Sequence, residues 1–323
     1  MRTLRLPHVL GAFGAADRRR GELRKAIDAD THVIESADAG SIAYYADPSG
    51  SGPALVLVHS VNAAASSYEV KPIFEHFRGT RPVYALDLPG FGLSERADRA
   101  YTPRLYASAI LHVLRQVAAK GGHLLALSLS SEFAALAALE APELVRSLTL
   151  IAPTGFERPG SRPLAERLRL AVAKAAALPG LGRALFEGVV RRPVIDYFLR
   201  KVFVGEVDQG LARYAFETAH RPGAWHAPRA FLRGSLFTPD IREAYARLRE
   251  PVLVLHDRDP YGVAEEIDAF VRAHGSWRAQ RVGPSQGMPQ FERPEATFGA
   301  IETFLRDSDV AGQGHGEEGA RAA

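Results

Sequence analysis

"HLLALSLSSEFAALAALEAPE", residues 123–143, is the stretch on which the fold turns. An apolar run ends at Ser128 and an alanine-rich helical pattern begins at once. Ala126 and Ser130, two residues to either side of Ser128, are both small. A sharp strand-to-helix turn needs small residues there, because larger side chains would collide across it. Such a turn holds a hydroxyl at a helix N-terminus and leaves the next N–H, that of Leu129, to face a developing oxyanion. An ordinary strand–helix turn could carry the same five residues, so the flanking sequence has to decide.

Further apolar runs lie on both sides of this stretch. "PALVLVHS" (53–60), "RPVYALDLPG" (81–90), "VRSLTLIAP" (145–153), "EPVLVLHDRD" (250–259) and "WRAQRVG" (277–283) read as strands. The first two are apolar throughout, as strands covered on both faces are. "THVIES" and "SIAYYAD" (31–36 and 41–47) predict an opening hairpin. Helical patterns come between, among them 101–122, stopped by glycine, and a final helix at 295–307. The alternation predicts an α/β fold with a mostly parallel central sheet flanked by helices.

From Phe156 to Leu236 the strands cease and only helical patterns remain, broken by "PGLG", "RRP" and "HRPGAWHAP". The expected organisation is therefore an N-terminal arm (1–30), a core (31–155 and 237–306), a helical cap (156–236) and a polar, glycine-rich, disordered tail (307–323). The first residues, "MRTLRLPHVLGAFGAADRRR", place basic residues before a short apolar patch. Pro7 and His8 interrupt it, so it reads as an arm leading into a charged helix near "AADRRRGELRKAI" (15–27) rather than a signal peptide.

The chain has 323 residues, 46% of them hydrophobic and 24% charged, ordinary values for a soluble globular protein. A net charge of +3 is too small to argue for nucleic acid, and none is expected as a partner. With no cysteine there can be no disulfide, thiol nucleophile or cysteine metal site. No apolar run is long enough to span a membrane, and cytoplasm is the expected location. No metal cluster, phosphate-cradling loop or dinucleotide fingerprint appears; "GAFGAAD" follows no strand. No cofactor or metal is expected.

"VLVHSVNAAASSYE", "ALDLPGFGLSER", "ALSLS", "LHDRDPYG" and "PSQGMPQFERPE" occur in that order. Together they resemble the α/β-hydrolase family, from about Ile34 to Leu305. The resemblance implies that Ser128 is the nucleophile, that the N–H groups of Val61 and Leu129 form the oxyanion hole, and that Asp259 is the acid of the triad. It also implies a histidine where Gly287 stands. Ser60, Ser130 and Ser131 replace the family's usual glycines, and Glu132 puts a carboxylate in the first helical turn, read as a helix-dipole contact rather than a catalytic group.

A serine hydroxyl is a weak nucleophile without a neighbouring base, and glycine supplies none. His256, beside the acid loop, and His220 and His226, in the insert, are the candidate substitute bases. Residues 156–201 carry ten basic and four acidic residues. A solvated cap face accounts for this, and the sharper alternative is weak contact with an anionic membrane surface. The apolar side of the cap suits a small apolar molecule in a capped pocket. The reading is an enzyme on a small apolar ester, lactone or related carbonyl compound, with an incomplete triad. The alternative is an inactive relative that binds a ligand or partner. The sequence leaves the substrate and the oligomeric state open.

Overall fold

The strands can be apolar on both faces because both faces are covered. The computed structural model describes residues 22–157, 163–259 and 262–321. In chain order it begins with β1 (Asp30–Ser36), β2 (Gly40–Asp47), β3 (Leu55–Val58), α1 (Lys71–Phe77) and β4 (Val83–Leu86). There follow α2 (Pro103–Val117), β5 (Gly122–Leu127), α3 (Ser130–Glu140) and β6 (Val145–Ile151). An insert of α4 (Pro163–Ala177), α5 (Pro179–Val189), α6 (Arg192–Leu199), α7 (Gln209–Ala219) and α8 (His226–Leu232) comes next. The chain returns through α9 (Ile241–Ala246), β7 (Val252–His256), α10 (Ala264–Ala273), β8 (Trp277–Arg281), α11 (Pro289–Glu292) and α12 (Pro294–Arg321).

The eight strands form one sheet in the order β1-β2-β4-β3-β5-β6-β7-β8. β1 and β2 pair antiparallel, β2 pairs antiparallel with β4, and every pairing from β4 to β8 is parallel. Alternate side chains enter different cores. Val56, Val58, Leu124 and Ala126 pack with Tyr106 and Ile110 of α2 and Phe133 of α3. Leu55, Leu57, Leu125 and Leu127 pack with Ile73 and Phe74 of α1 and Ile301 and Phe304 of α12. Each valine, leucine, isoleucine or phenylalanine among them contributes about 1.5–3 kcal/mol by leaving water.

Local chemistry sets the element ends. Thr102 caps α2 by accepting the Leu105 N–H at 3.1 Å, with Pro103 in the first turn. Asp208 caps α7 through the Leu211 N–H at 2.6 Å.

Two expectations change. Residues 22–29 form no helix; the bend at 26–29 is held against β2, where the Ala26 N–H donates to the Tyr45 hydroxyl at 2.9 Å. The rest of the expected charged helix, residues 15–21, lies outside the described residues, as does the arm before it. The final helix does not stop at 307 but continues to Arg321. Arg278 pairs with Asp307 at 2.6 Å and Arg81 with Asp309 at 2.6 Å, tying the helix just beyond residue 306 to the sheet domain. Once nucleated, a helix extends at little further cost.

Candidate active site

Ser128 leaves β5 in the left-handed region, with φ 50°, a conformation that a non-glycine residue holds only where the surroundings impose it. Its N–H donates to the Ile151 carbonyl at the end of β6, 2.8 Å away. Ala126 and Ser130 are completely buried beside the turn, which is why both are small. The Ser130 hydroxyl donates to the His59 carbonyl at 2.6 Å and ties the elbow to the loop after β3. Ser128 itself is only partly buried.

The loop after β3 carries Val61, and a buried carboxylate braces it. Glu69 Oε2 accepts the Ser60 N–H at 2.8 Å, and Oε1 accepts the Asn62 side-chain amide at 3.0 Å. That amide also donates to Ser60 Oγ, and Asn62 Oδ1 accepts the Ala64 N–H at 2.8 Å. The N–H groups of Val61 and Leu129 have no hydrogen-bond acceptor among the described residues. Two donors left over at an otherwise laced turn are what an oxyanion hole requires. Sequence reasoning did not single out Glu69, because only the fold brings it back onto Ser60.

His59 and Asp87 fasten the neighbouring loops. His59 Nε2 accepts the Leu88 N–H at 2.9 Å, so its Nδ1 carries the proton and donates to the Ser60 carbonyl. Asp87 accepts the Ser67 N–H through one oxygen and the Leu93 N–H through the other. Gly92 is required there, since a Cβ would sit 1.9 Å from the Asp87 carboxyl carbon.

At the end of β7 the two acids of "HDRD" divide their work. Asp257 accepts the Ser285 N–H at 3.0 Å and pairs with Arg281 at 3.3 Å, holding the loop after β8. Asp259 turns back toward the end of β6. A Cβ on Gly262 would lie 3.7 Å from its Oδ2 and 3.5 Å from the Pro153 carbonyl. Topology thus brings Ser128 and Asp259 to the same C-terminal edge of the sheet, with one strand between theirs.

Gly287 has φ +111°, outside the range of ordinary L side chains, and a Cβ there would meet only Val202 at 3.8 Å. The loop around it is held from two sides. Glu292 accepts the Gln286 N–H through one oxygen and the Val204 and Gly205 N–H groups through the other. Gln290 is buried and donates to the Glu69 carbonyl at 2.9 Å, joining this loop to the residue that braces the loop after β3.

The three candidate bases have partners of their own, and none of those described is Ser128. His256 Nε2 lies 3.3 Å from Asp268 of α10, and burial, countered by Asp268, lowers its pKa. His226 pairs with Asp98 at 3.2 Å and is lowered by burial despite that carboxylate. His220 binds the Phe216 carbonyl at 2.7 Å, one turn back in α7. Glu132 stands in the first turn of α3, where a helix-dipole contact was expected, and it is also a buried joint. It accepts the Thr154 hydroxyl at 2.5 Å and the Thr238 N–H at 2.6 Å, and burial raises its pKa against those bonds.

The insert packs on this region. Ala63 and Ala64, just past Val61, lie against a cluster of Phe186, Val190, Ile195, Ala215, Ala219 and Ala224. Arg96 is a half-buried strut, donating to the Gly92 carbonyl on one side and to the Thr218 carbonyl and hydroxyl of α7 on the other. Burial lowers its pKa to about 10. A hollow of about 460 Å³ between Phe203–Asp208 and Phe291–Arg293, and another of about 340 Å³ beside Lys71, both lie away from Ser128.

The model of the alpha/beta hydrolase family matches residues 55–300. The chain belongs to that family. Among curated family relatives, a 2-(acetamidomethylene)succinate hydrolase of Mesorhizobium japonicum is 28% identical over 125 residues, 39% of this chain and 44% of the relative. The uncharacterized hydrolase YugF of Bacillus subtilis is 30% identical over 103 residues, 32% of this chain and 37% of the relative. The matches therefore span less than half the length of these relatives. A solved structure described as a membrane phospholipase A, a bacterial virulence factor, superposes with a TM-score of 0.69 at 25% identity, covering 86% of each chain.

Proposed function

We propose that the chain is a cytoplasmic enzyme of the alpha/beta hydrolase family acting on a small, largely apolar ester, lactone or related carbonyl compound. The insert serves as its cap, and the chemistry departs from the usual serine triad. The observation that carries this reading is Ser128 in the left-handed region at the head of α3, next to the Leu129 N–H and tied through Ser130 to the loop that carries Val61; neither N–H has an acceptor among the described residues. A substrate carbonyl placed over Ser128 would direct its oxygen at those two donors, which stabilise negative charge as it forms there. Relatives named as hydrolases and a phospholipase A support a hydrolytic reading.

With Gly287 in the base position, the Ser128 proton needs another acceptor. In the version that keeps acyl transfer, a basic group on the substrate takes it, or one of His220, His226 and His256 after a change of partner. In the other version, Ser128 and the oxyanion hole act as hydrogen-bond donors in a lyase or cyclisation step without acylation. Losing a triad member leaves a measurable rate from oxyanion stabilisation and binding alone.

A second reading rests on Gly287 itself. A protein that binds a ligand or partner needs no base, and a glycine-only backbone at that place is what such a relative could accumulate. Treating the protein with a serine-directed fluorophosphonate and reading the intact mass, beside Ser128→Ala, tests the acyl-transfer version. One adduct that disappears in the variant is expected. A folded protein that takes no adduct removes acyl transfer, and screening for binding then decides between donor-only catalysis and a binding protein.

A further inference from the structure

Eight large hydrophobic side chains are exposed among the described residues, and six of them fall between 170 and 204: Leu170, Leu178, Leu181, Tyr197, Phe198 and Val204. The same stretch holds six basic residues against two acidic ones, a net +4, whereas the whole chain is only +3. The remainder of the protein therefore sums to −1. Exposed apolar surface and positive charge are concentrated in the same part of the insert.

The concentration is sharpest at α6. Ile195 turns inward to the cluster that covers Ala63 and Ala64, while Tyr197 and Phe198 stay outside at 55% and 46% exposure. Their rings meet edge to face with centroids 5.4 Å apart. Arg191 and Arg192 stand at one end of the helix and Arg200 and Lys201 at the other, all exposed. None of the four is in an ion pair among the described residues. The Lys201 ammonium lies 4.8 Å from the Tyr197 ring.

Aromatic rings with cations at both ends have the make-up of an interfacial anchor. The rings settle at the level of the lipid headgroups and the cations are drawn to anionic lipid. We propose that α6 and its four flanking cations dock the protein on an anionic lipid surface. Charge complementarity selects this occupant. A symmetric pairing with a second copy would set the same cations against one another. Nucleic acid would use the arginines and rings but has no use for exposed leucines. The docked face adjoins the candidate site, because Val202 is the side chain nearest Gly287 and Glu292 holds the 204–205 backbone.

The test floats the full chain with vesicles of phosphatidylcholine alone and of phosphatidylcholine with phosphatidylglycerol. Binding is expected to the anionic vesicles only and should weaken as salt is raised. Each cation near the surface changes partitioning about fivefold. Replacing Arg191, Arg192, Arg200 and Lys201 together by Gln should therefore weaken binding on the order of a hundredfold or more. Tyr197→Ser with Phe198→Ser should weaken it about tenfold, with the thermal transition unchanged because both rings are exposed. If the four-cation variant fails to fold, the aromatic pair alone decides. The proposal is overturned by equal binding to both vesicles, by no binding, or by binding that the aromatic pair does not change. It is also overturned if a single-stranded oligonucleotide displaces the vesicles, or if light scattering shows a dimer that the aromatic pair breaks.

Discussion

At the residue scale, Glu69 has the clearest consequence. Its two oxygens accept the Ser60 N–H and the Asn62 amide, and so hold the loop whose Val61 N–H is proposed above as an oxyanion donor. Glu69→Gln would turn an amide donor against one of those donors. The expected cost is about 1–3 kcal/mol in thermal unfolding, as for a buried donor left unpaired, together with slower labelling of Ser128 by fluorophosphonate. Unchanged labelling in a destabilised variant would separate the loop's stability from the site. Gly287 allows a second prediction. Space for a side chain exists, since the nearest atom is Val202 Cβ at 3.8 Å, but φ +111° is a glycine conformation. Gly287→Ala and Gly287→His should lose similar stability, about 1–3 kcal/mol each, because the backbone and not the side chain is strained. An alanine variant as stable as the parent would refute that account.

At the scale of elements, α12 is held at the edge of the sheet remote from Ser128. Buried His123, near the start of β5, accepts from the Ser147 hydroxyl at Nδ1 and donates from Nε2 to Asp309, which also receives Arg81. Burial keeps the His123 imidazole neutral and its pKa below the usual 6.5, outweighing the pull of Asp309. Burial would raise the Asp309 carboxyl, but the bonds from His123 and Arg81 prevail and hold it below 3.8. Both shifts have the same sign. The unfolded chain binds more protons, so stability is fully present above about 6.5 and declines as acid approaches the lowered His123 value. It declines again below about 3.8 through Asp309. His256 and His226 are lowered too and add to the first phase. Denaturant midpoints measured across that range should fall less steeply for His123→Gln than for the parent; parallel curves would dismiss the linkage.

At the scale of the whole molecule, polar ties join the insert to the sheet domain. Arg96 bridges Gly92 and Thr218, and Glu292 holds the backbone at Val204 and Gly205. Arg96→Ala would leave the Gly92 and Thr218 carbonyls without their donor, at about 1–3 kcal/mol for each unsatisfied group. Limited proteolysis should then cut first within the insert, between α4 and α7, before the sheet domain opens. Cleavage distributed over both parts would mean that Arg96 is not what holds them together.

Local pattern was enough for the strands at 55–58, 83–86, 122–127, 145–151 and 252–256. Periodicity and burial are properties of neighbouring residues, and a sheet covered on both faces leaves an apolar run that can be read directly. The elbow at Ser128 was legible for the same reason, since its small flanking residues are two positions away. So were the concentration of charge in the insert and the glycine at 287. The pairs that stiffen the site were not legible. Gln290 meets the Glu69 carbonyl across 221 positions, and Glu292 meets Val204 across 88. Neither leaves a periodic trace, because a hydrogen bond between distant segments depends on where the fold carries them. Nor were the pairs legible that Arg278 and Arg81 make with Asp307 and Asp309, which join distant segments in the same way. Thus the amino-acid sequence determined by itself the strands, most of the helices, their order and the glycine at 287. Only the tertiary structure decided which carboxylates brace the site and which histidines are engaged elsewhere, because desolvation and long-range pairing exist only once the chain has folded.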